Sequence, residues 1–314
     1  MGGRPAVHND RRVRALLQMH EHTRFLRLGC QLAVPPDEAA ARGLFYEAGV
    51  ELAVEGMPAA CAALARSAHA PFMLDFAGRR TRVNVAALDG AWRRASMQAI
   101  EQYFVAAARY PGIRLVVVHS APRVWRDEGD VGPPRVVGDY ELLIQSLRQL
   151  ADIARCFSLT LVLENNRAYW DGVPDDVDFA SADRGQMREY FGTAPEQWLG
   201  IQRDVGRDNF GLCFDSSHAV TYAQRFAPDD RPAVMRAFLA EPSAICHVHW
   251  NDNDLAHPRG RQDLHLAVGR GTAGDDFHRA IRALAGVTRV LEHFYGLPAL
   301  DEELRYIAAL AEAE

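Results

Sequence analysis

Eight short apolar runs, separated by longer segments of helical periodicity, restrict the fold of this 314-residue chain more than any other feature. Alternating strands and helices are typical of βαβ units, which build a parallel sheet. Eight such repeats predict a single closed (β/α)₈ TIM barrel, an α/β fold that usually takes about 250 residues. The predicted strands span residues 25–33, 50–54, 71–76, 113–119, 159–164, 210–215, 244–249 and 288–292.

The segments between these runs predict helices at residues 37–47, 91–108, 140–155, 233–239, 276–284 and 302–311. Since no low-complexity linker interrupts the chain, we expect one barrel domain over residues 23–314, preceded by an N-terminal arm over residues 1–22. The connection 165–208 is unusually long and rich in aromatic residues. It either selects the substrate, as loops at this end of barrels often do, or packs its own aromatic side chains. Within it, Thr193 and Glu196 have the spacing of a capping box and predict a helix start.

All 35 basic residues are arginines, and the absence of lysine excludes two classes of site. The chain has neither a Schiff-base lysine, as in the lysine aldolases, nor a Walker P-loop. The net charge of −6 argues against a broad nucleic-acid surface. The five cysteines include no CxxC pair, so we interpret them as reduced core residues and not as a disulfide or zinc framework.

The sequence also bears on where the protein resides. No apolar run approaches the ~18 residues of a membrane span, and the basic N-terminus lacks the apolar stretch of a secretory signal. We therefore predict a cytoplasmic protein without membrane association. The oligomeric state stays open, a homo-oligomer included.

Five of the apolar runs end in a residue that can bind a metal ion, namely His119, Glu164, Asp215, His249 and Glu292. An ionisable side chain that closes a buried strand is costly unless it is paired or metal-bound. The carboxyl ends of all strands in a parallel barrel face the same rim, so side chains 34 to 51 positions apart can meet there. The sequence therefore predicts a divalent-metal site at this rim.

Further polar residues fall close to the same predicted rim. His218 follows Asp215 by three positions, and Arg270 lies between two glycines that suit a tight turn. The candidates for additional metal or substrate binding are His69, His119, Asp263, His265 and Arg270. Oxygen and imidazole ligands suit Mn, Zn, Co, Mg and Fe alike, so the ligand set leaves the identity of the metal open.

Short motifs surround these residues in order along the chain. They are His69-Ala-Pro-Phe, Val-Val-His119-Ser, Leu-Glu164-Asn-Asn, Cys-Phe-Asp215-Ser-Ser-His218, His249-Trp-Asn251-Asp252, Asp263-Leu-His265-Leu-Ala-Val-Gly-Arg-Gly271 and Leu-Glu292-His-Phe. Together the motifs resemble the xylose isomerase-like barrel superfamily over residues 25–312. This superfamily includes sugar-phosphate isomerases, ketose epimerases, inosose dehydratases and the endonuclease-IV abasic-site nucleases.

The resemblance implies a core metal ion bound by four ligands, Glu164, Asp215, His249 and Glu292. In the isomerase and epimerase branch, the two glutamates also act as acid and base, and a proton moves through a metal-stabilised enediolate. The same resemblance implies that His218 hydrogen-bonds the substrate or a metal ligand. We therefore predict first a metal-dependent sugar or sugar-phosphate isomerase or epimerase, although the lysine essential to true xylose isomerases is missing.

The nuclease branch gives the runner-up prediction, a trinuclear-zinc phosphodiesterase that acts on abasic DNA. Its extra ligands correspond to His69, His119, His218, Asp263 and His265, all of which are present. The negative net charge favours a small-molecule substrate over a nucleic acid. A lyase, a dehydratase or a multinuclear iron oxidase on the same barrel is a third alternative.

Overall fold

The computed structural model describes residues 13–18, 27–31, 34–50, 52, 56–127, 132–178, 181–293 and 296–311. Its strands are β1 (Val13–Gln18), β2 (Arg27–Gln31), β3 (Leu44–Ala48), β4 (Ala65–His69), β5 (Met73–Phe76), β6 (Arg79–Arg82), β7 (Leu115–His119), β8 (Pro122–Trp125), β9 (Arg135–Val136), β10 (Thr160–Glu164), β11 (Glu189–Tyr190), β12 (Phe210–Asp215), β13 (Ile245–His249) and β14 (Thr288–Leu291).

Parallel pairing of β2, β3, β4, β7, β10, β12, β13 and β14 closes the barrel. The predicted TIM-barrel fold is therefore confirmed. Strand β1 pairs antiparallel with both β2 and β3. Residues 1–12 and 19–26 lie outside the described residues, so the boundary between arm and barrel stays a prediction.

The helices are α1 (Pro36–Ala41), α2 (Ala59–Leu64), α3 (Gly90–Ala107), α4 (Tyr140–Cys156), α5 (Pro195–Val205), α6 (Ser216–Ala223), α7 (Arg231–Ala237), α8 (Asp275–Ala283) and α9 (Leu297–Ala309). Helix α4 shows how the sequence specifies them. The Asp139 carboxylate accepts a hydrogen bond from the backbone N–H of Leu142 and caps the helix. Leu143, Leu147 and Leu150 then lie on one face, which is buried. None of the described helices is long and apolar enough to cross a membrane.

Two barrel strands lie elsewhere than predicted. The predicted helix 37–47 ends at Ala41, because Gly43 adopts a left-handed φ of +69° that stops a helix. The buried residues Leu44–Ala48 form the barrel strand that was predicted at 50–54, of which residues 51, 53 and 54 lie outside the described residues. Residues Met73–Phe76 do form a strand, but among the described strands it pairs only with β6, in a hairpin turned by Ala77 and Gly78. The barrel strand at this point is Ala65–His69.

The predicted capping box in the long connection is also wrong. Helix α5 begins at Pro195 after Ala194, whose side chain has no group that can cap it. The Thr193 hydroxyl donates instead to the carbonyl of Tyr190 at 3.1 Å. Proline at the first helical position therefore sets this helix start, and Thr193 stabilises the turn before it.

Four cysteines are free in the structure, and one of them differs from the prediction. Cys61 and Cys213 are buried and Cys246 is half-buried, whereas Cys156 is exposed at the end of α4. Cys156 is therefore a surface thiol and not the core residue predicted.

Candidate metal centre

The metal-binding candidates lie where the barrel strands end. His69, His119, Glu164, Asp215 and His249 are the last residues of β4, β7, β10, β12 and β13, and Glu292 directly follows β14. The register aligns Glu164 with His119 and Asp215 with His249 on neighbouring strands. Parallel pairing therefore brings all six to the same rim. The sequence predicts this for five of them, whereas His69 lies just before the predicted strand 71–76 and reaches the rim because the barrel strand is Ala65–His69.

The four predicted core ligands form one buried group. The Nδ1 atom of His249 lies 3.0 Å from Glu164 Oε1, 3.3 Å from Glu292 Oε2 and 3.9 Å from Asp215 Oδ2. One ligand atom from each of the four residues lies within 4.8 Å of the others. Donors at about 2.0–2.2 Å from one ion stand slightly more than 3 Å apart, so this carboxylate and imidazole set fits a divalent cation.

Two further groups share a carboxylate ligand with this core, and a fourth group, formed by Cys213, His247 and His249, shares its imidazole. His69 Nε2 and His119 Nε2 lie 3.2 and 3.1 Å from Glu164 Oε2. On the other side, Asp215, His218 and His265 form a third group. Asp263 joins the two histidines of that group, with its carboxylate oxygens 3.2 Å from His218 Nε2 and 2.9 Å from His265 Nε2. Glu164 and Asp215 thus each belong to two adjacent groups.

Backbone carbonyls orient two of the imidazoles. A carbonyl only accepts hydrogen bonds, so the ring nitrogen that contacts it carries the proton. His69 Nδ1 donates to the carbonyl of Ala70, and His218 Nδ1 donates to that of Asn165, both at 2.8 Å. The Nε2 atoms of both rings therefore face the carboxylates of the site, and each can bind a metal ion through its lone pair once it is deprotonated, as metal-binding histidines require.

The amides next to these ligands hold the carboxylates in place. Asn165 forms two hydrogen bonds with the backbone of Asp215, and Asn251 Nδ2 donates to Asp215 Oδ2 at 3.1 Å. The Asp215 carboxylate also accepts from the backbone N–H of His218 at 2.8 Å, at the start of α6. The rotamer of Asp215 is therefore fixed by its surroundings.

Glu47 lies beneath the core group and is the main residue that the sequence analysis misses. Its carboxylate contacts His249 Nε2 at 3.1 Å and His247 Nε2 at 2.9 Å, and it accepts from the Ser67 hydroxyl at 2.6 Å. Because Glu47 takes Nε2 of His249, the Nδ1 atom faces the other ligands. In the sequence, the one signal for Glu47 is that a carboxylate stands inside the apolar run Leu44–Ala48.

The electrostatics of Glu164 reflect the imidazoles around it. Burial by itself raises the pKa of Glu164, but His119 and His249 together hold it well below its usual range. Burial also lowers the pKa of His119 to about 4, so this imidazole is neutral at pH 7. A carboxylate and a neutral imidazole are the protonation states that bind metal ions.

The third group shows a different balance of charge. Burial raises the pKa of Asp215 to about 6. Burial opposes protonation of His265, but the neighbouring Asp263 carboxylate raises its pKa to about 10. His265 and His218 in turn outweigh burial and hold the pKa of Asp263 well below its usual range. A cation at this position competes with ring protons for the same nitrogen atoms.

Arg270 is the predicted site residue that the structure does not bring to the cluster. Its guanidinium pairs with Glu302, and 65% of its side chain is exposed. The turn that carries it is fixed by Asp252, whose carboxylate accepts from the backbone N–H groups of Gly269 and Gly271 at 3.1 and 2.9 Å. We therefore leave Arg270 out of the proposed site.

Replacing Glu47 with Gln tests whether this carboxylate supports the metal centre. We expect the affinity for the tightest-bound ion to fall about 10- to 100-fold, the usual effect of removing the partner of a metal-binding histidine. Competition against a chromogenic chelator measures this affinity. The matched control is Glu38→Gln, at a surface residue that pairs with Arg42. Equal affinity in wild type and Glu47→Gln would contradict the assignment.

The family described as xylose isomerase-like TIM barrel matches residues 29–310. An uncharacterized protein of Methanocaldococcus jannaschii is 25% identical over 206 residues, which cover 65% of this chain and 55% of that protein. The chain thus spans about half the length of this curated relative.

Solved structures share the fold at low identity. Endonuclease IV from Thermus thermophilus superposes with a TM-score of 0.56 at 19% identity, covering 89% of this chain and 93% of its own. A D-tagatose 3-epimerase-like protein gives 0.53 at 19% identity, with 79% and 78% covered. A 3-keto-D-glucoside 4-epimerase from E. coli gives 0.52 at 15% identity, with 80% and 83% covered. At these identities the likeness shows the fold alone.

Proposed function

We propose that this chain, which belongs to the xylose isomerase-like TIM-barrel family, is a metal-dependent hydrolase that cleaves a phosphate ester at a site for up to three divalent ions. The observation that carries this proposal is the overlap of three ligand groups through Glu164 and Asp215. Held by these residues, adjacent divalent ions would supply an activated water and would stabilise the oxygens that are exchanged at phosphorus.

The number of ligand-capable side chains supports several ions in preference to one. A single ion needs only the core group of Glu164, Asp215, His249 and Glu292. His69 and His119 add a second set around Glu164, and His218, Asp263 and His265 add a third. Buried imidazoles and carboxylates at such distances are costly without a role, because each loses its hydration.

The residues of the chain contribute orientation and proton transfer in this proposal. Glu164 and Asp215 each offer two oxygens to neighbouring groups and so fix the spacing between them. Glu292 Oε2 lies 3.6 Å from His265 Nδ1 and 3.3 Å from His249 Nδ1, at the edge of the core group. Its position suits a proton acceptor for a water molecule that attacks the ester.

The long connection 165–208 favours a small substrate over duplex DNA. Tyr169 and Tyr190 from this segment pack against Trp125 as a buried cluster, with ring centroids 5.3 to 5.7 Å apart. Buried rings cannot insert between bases as a wedge. Together with the net charge of −6, this packing supports a pocket for a small phosphate ester.

A sugar isomerase or epimerase is the second candidate, because the core group is complete by itself. Glu164 and Glu292 lie 3.0 and 3.3 Å from His249 Nδ1, so two carboxylates border the same position and can share a proton-transfer task. In this alternative one ion is enough, and His218 hydrogen-bonds the substrate or a metal ligand.

Metal content and substrate turnover together test the proposed function. We expect protein loaded with zinc or manganese to hold about three ions per chain and to hydrolyse bis(p-nitrophenyl) phosphate. Chelation should abolish hydrolysis and added metal should restore it. A single ion per chain, no phosphate-ester hydrolysis, and hydrogen exchange from solvent into ketoses would establish the epimerase alternative instead.

The same experiment also tests duplex DNA with an abasic-site analogue as a substrate. We expect no meaningful nicking, because a lysine-free chain of net charge −6 offers no broad basic track for phosphates. Strong metal-dependent nicking would make abasic DNA the substrate and would overturn the small-substrate assignment.

A further inference from the structure

Arginine and aromatic side chains form a wall beside the candidate metal centre. We call this set the arginine wall; its members are Phe72, Arg82, Trp125, Arg167, Tyr169, Arg188 and Tyr190. The Arg82 guanidinium lies over the rings of Phe72 and Trp125, at 5.5 and 5.3 Å from their centroids. The Arg167 guanidinium lies over Tyr169 at 4.7 Å. Cation–π contacts of this kind fix the planes of the guanidinium groups.

Both ends of the arginine wall touch candidate metal ligands. At one end the ring of Phe72 stacks on that of His119, with centroids 5.2 Å apart and planes 16° from parallel. At the other end Arg167 Nη1 lies 3.9 Å from Asp263 Oδ2. The wall therefore stands next to the cluster itself and reaches from its second ligand group to its third.

The charges of the wall are only partly neutralised. Asp171 accepts two hydrogen bonds from the Arg188 guanidinium, at 2.9 and 2.5 Å, and balances its charge. Among the described residues, Arg82 forms no ion pair, and its guanidinium donates no hydrogen bond. The carboxylate that faces Arg167 is Asp263, whose charge is engaged when Asp263 binds a cation. The guanidinium groups of Arg82 and Arg167 are thus available to bind an anion.

We propose that Arg82 and Arg167 form a subsite for a second anionic group of the substrate, a phosphate or a carboxylate. This inference rests on the proposed function: one phosphate group binds at the metal centre while the other anionic group binds at the wall. Guanidinium groups with fixed planes suit this task, because their N–H donors match the oxygens of phosphates and carboxylates. The substrate is accordingly a small molecule with two anionic groups.

Three non-hydrolysable probes test the subsite by calorimetric binding to the metal-loaded protein. Propylphosphonate carries one anionic group, 3-phosphonopropionate adds a carboxylate, and propane-1,3-diphosphonate adds a second phosphonate. We expect at least one doubly anionic probe to bind about tenfold or more tightly than propylphosphonate, as charge-assisted hydrogen bonds would give. Which of the two binds more tightly identifies the second group as carboxylate or phosphate.

Variants that remove one guanidinium charge test whether the arginine wall causes the preference for doubly anionic probes. Arg82→Gln and Arg167→Gln should each lose most of the preference while retaining affinity for propylphosphonate and wild-type metal content. The control is Arg203→Gln, at an exposed residue of α5 that pairs with Glu241. Thermal unfolding of each variant shows whether it is folded, and Arg→Met variants, which keep the apolar stem, substitute for any that is not.

The outcomes separate this inference from the proposed function. Equal binding of all three probes, or a preference that both arginine variants retain, overturns the subsite even if the protein hydrolyses phosphate esters. An arginine-dependent preference in a protein that hydrolyses no phosphate ester supports the subsite and overturns only the proposed reaction. Because probe binding and substrate turnover are measured separately, the result for the subsite does not decide the result for the proposed reaction.

Discussion

Glu164→Gln should lower turnover by about 10²- to 10⁴-fold, the largest effect that we expect from a single substitution. Gln keeps the size of the side chain and one coordinating oxygen but lacks the charged carboxylate. Glu164 contacts His69 and His119 through one oxygen and His249 through the other. Its substitution therefore weakens two ligand groups at once, whichever reaction the site performs.

Steady-state kinetics and metal analysis of the same preparations check this expectation. Asp215→Asn is the informative comparison, because we expect it to weaken metal binding first and to recover part of its activity in excess metal. The matched control is Glu196→Gln, at an exposed glutamate in the first turn of α5. Wild-type turnover in Glu164→Gln would show that this carboxylate is not part of the reacting site. In the epimerase alternative, the relevant turnover is hydrogen exchange into ketoses.

His119→Asn and His265→Asn form the second test, because they separate a multinuclear site from a mononuclear one. His119 belongs to the group around Glu164, and His265 belongs to the group around Asp215. Each substitution should remove about one ion per chain, and we expect phosphate-ester hydrolysis to fall by about 100-fold or more. The core group of four ligands remains intact in both variants.

Elemental analysis together with hydrolysis rates measures this effect. His257→Asn is the control, since His257 is exposed and contacts the backbone N–H of Arg259 and none of the candidate ligands. Unchanged metal content in both site variants would mean that one ion accounts for the centre. The second candidate function, a single-metal epimerase, would then be the better assignment.

The site residues that the sequence predicted share one local property. His119, Glu164, Asp215 and His249 each close an apolar run, and a parallel barrel sends all such positions to the same rim. Their convergence thus follows from the fold class alone. The errors at 50–54 and 71–76 arose where apolar runs lie beside turns, because hydrophobicity does not show which of two neighbouring runs pairs within the barrel.

The sequence by itself thus determined the barrel and the rim at which the candidate ligands meet, since strand periodicity and the positions of charged residues are local features. Only the tertiary structure decided that Glu47 orients His249 from 202 positions away and that Arg82 and Arg167 stand beside the ligands. The tertiary structure also places Arg270 at the surface, away from the candidate ligands. These contacts depend on how separate loops and strands pack in space, and no local pattern encodes which distant side chain a charge will meet.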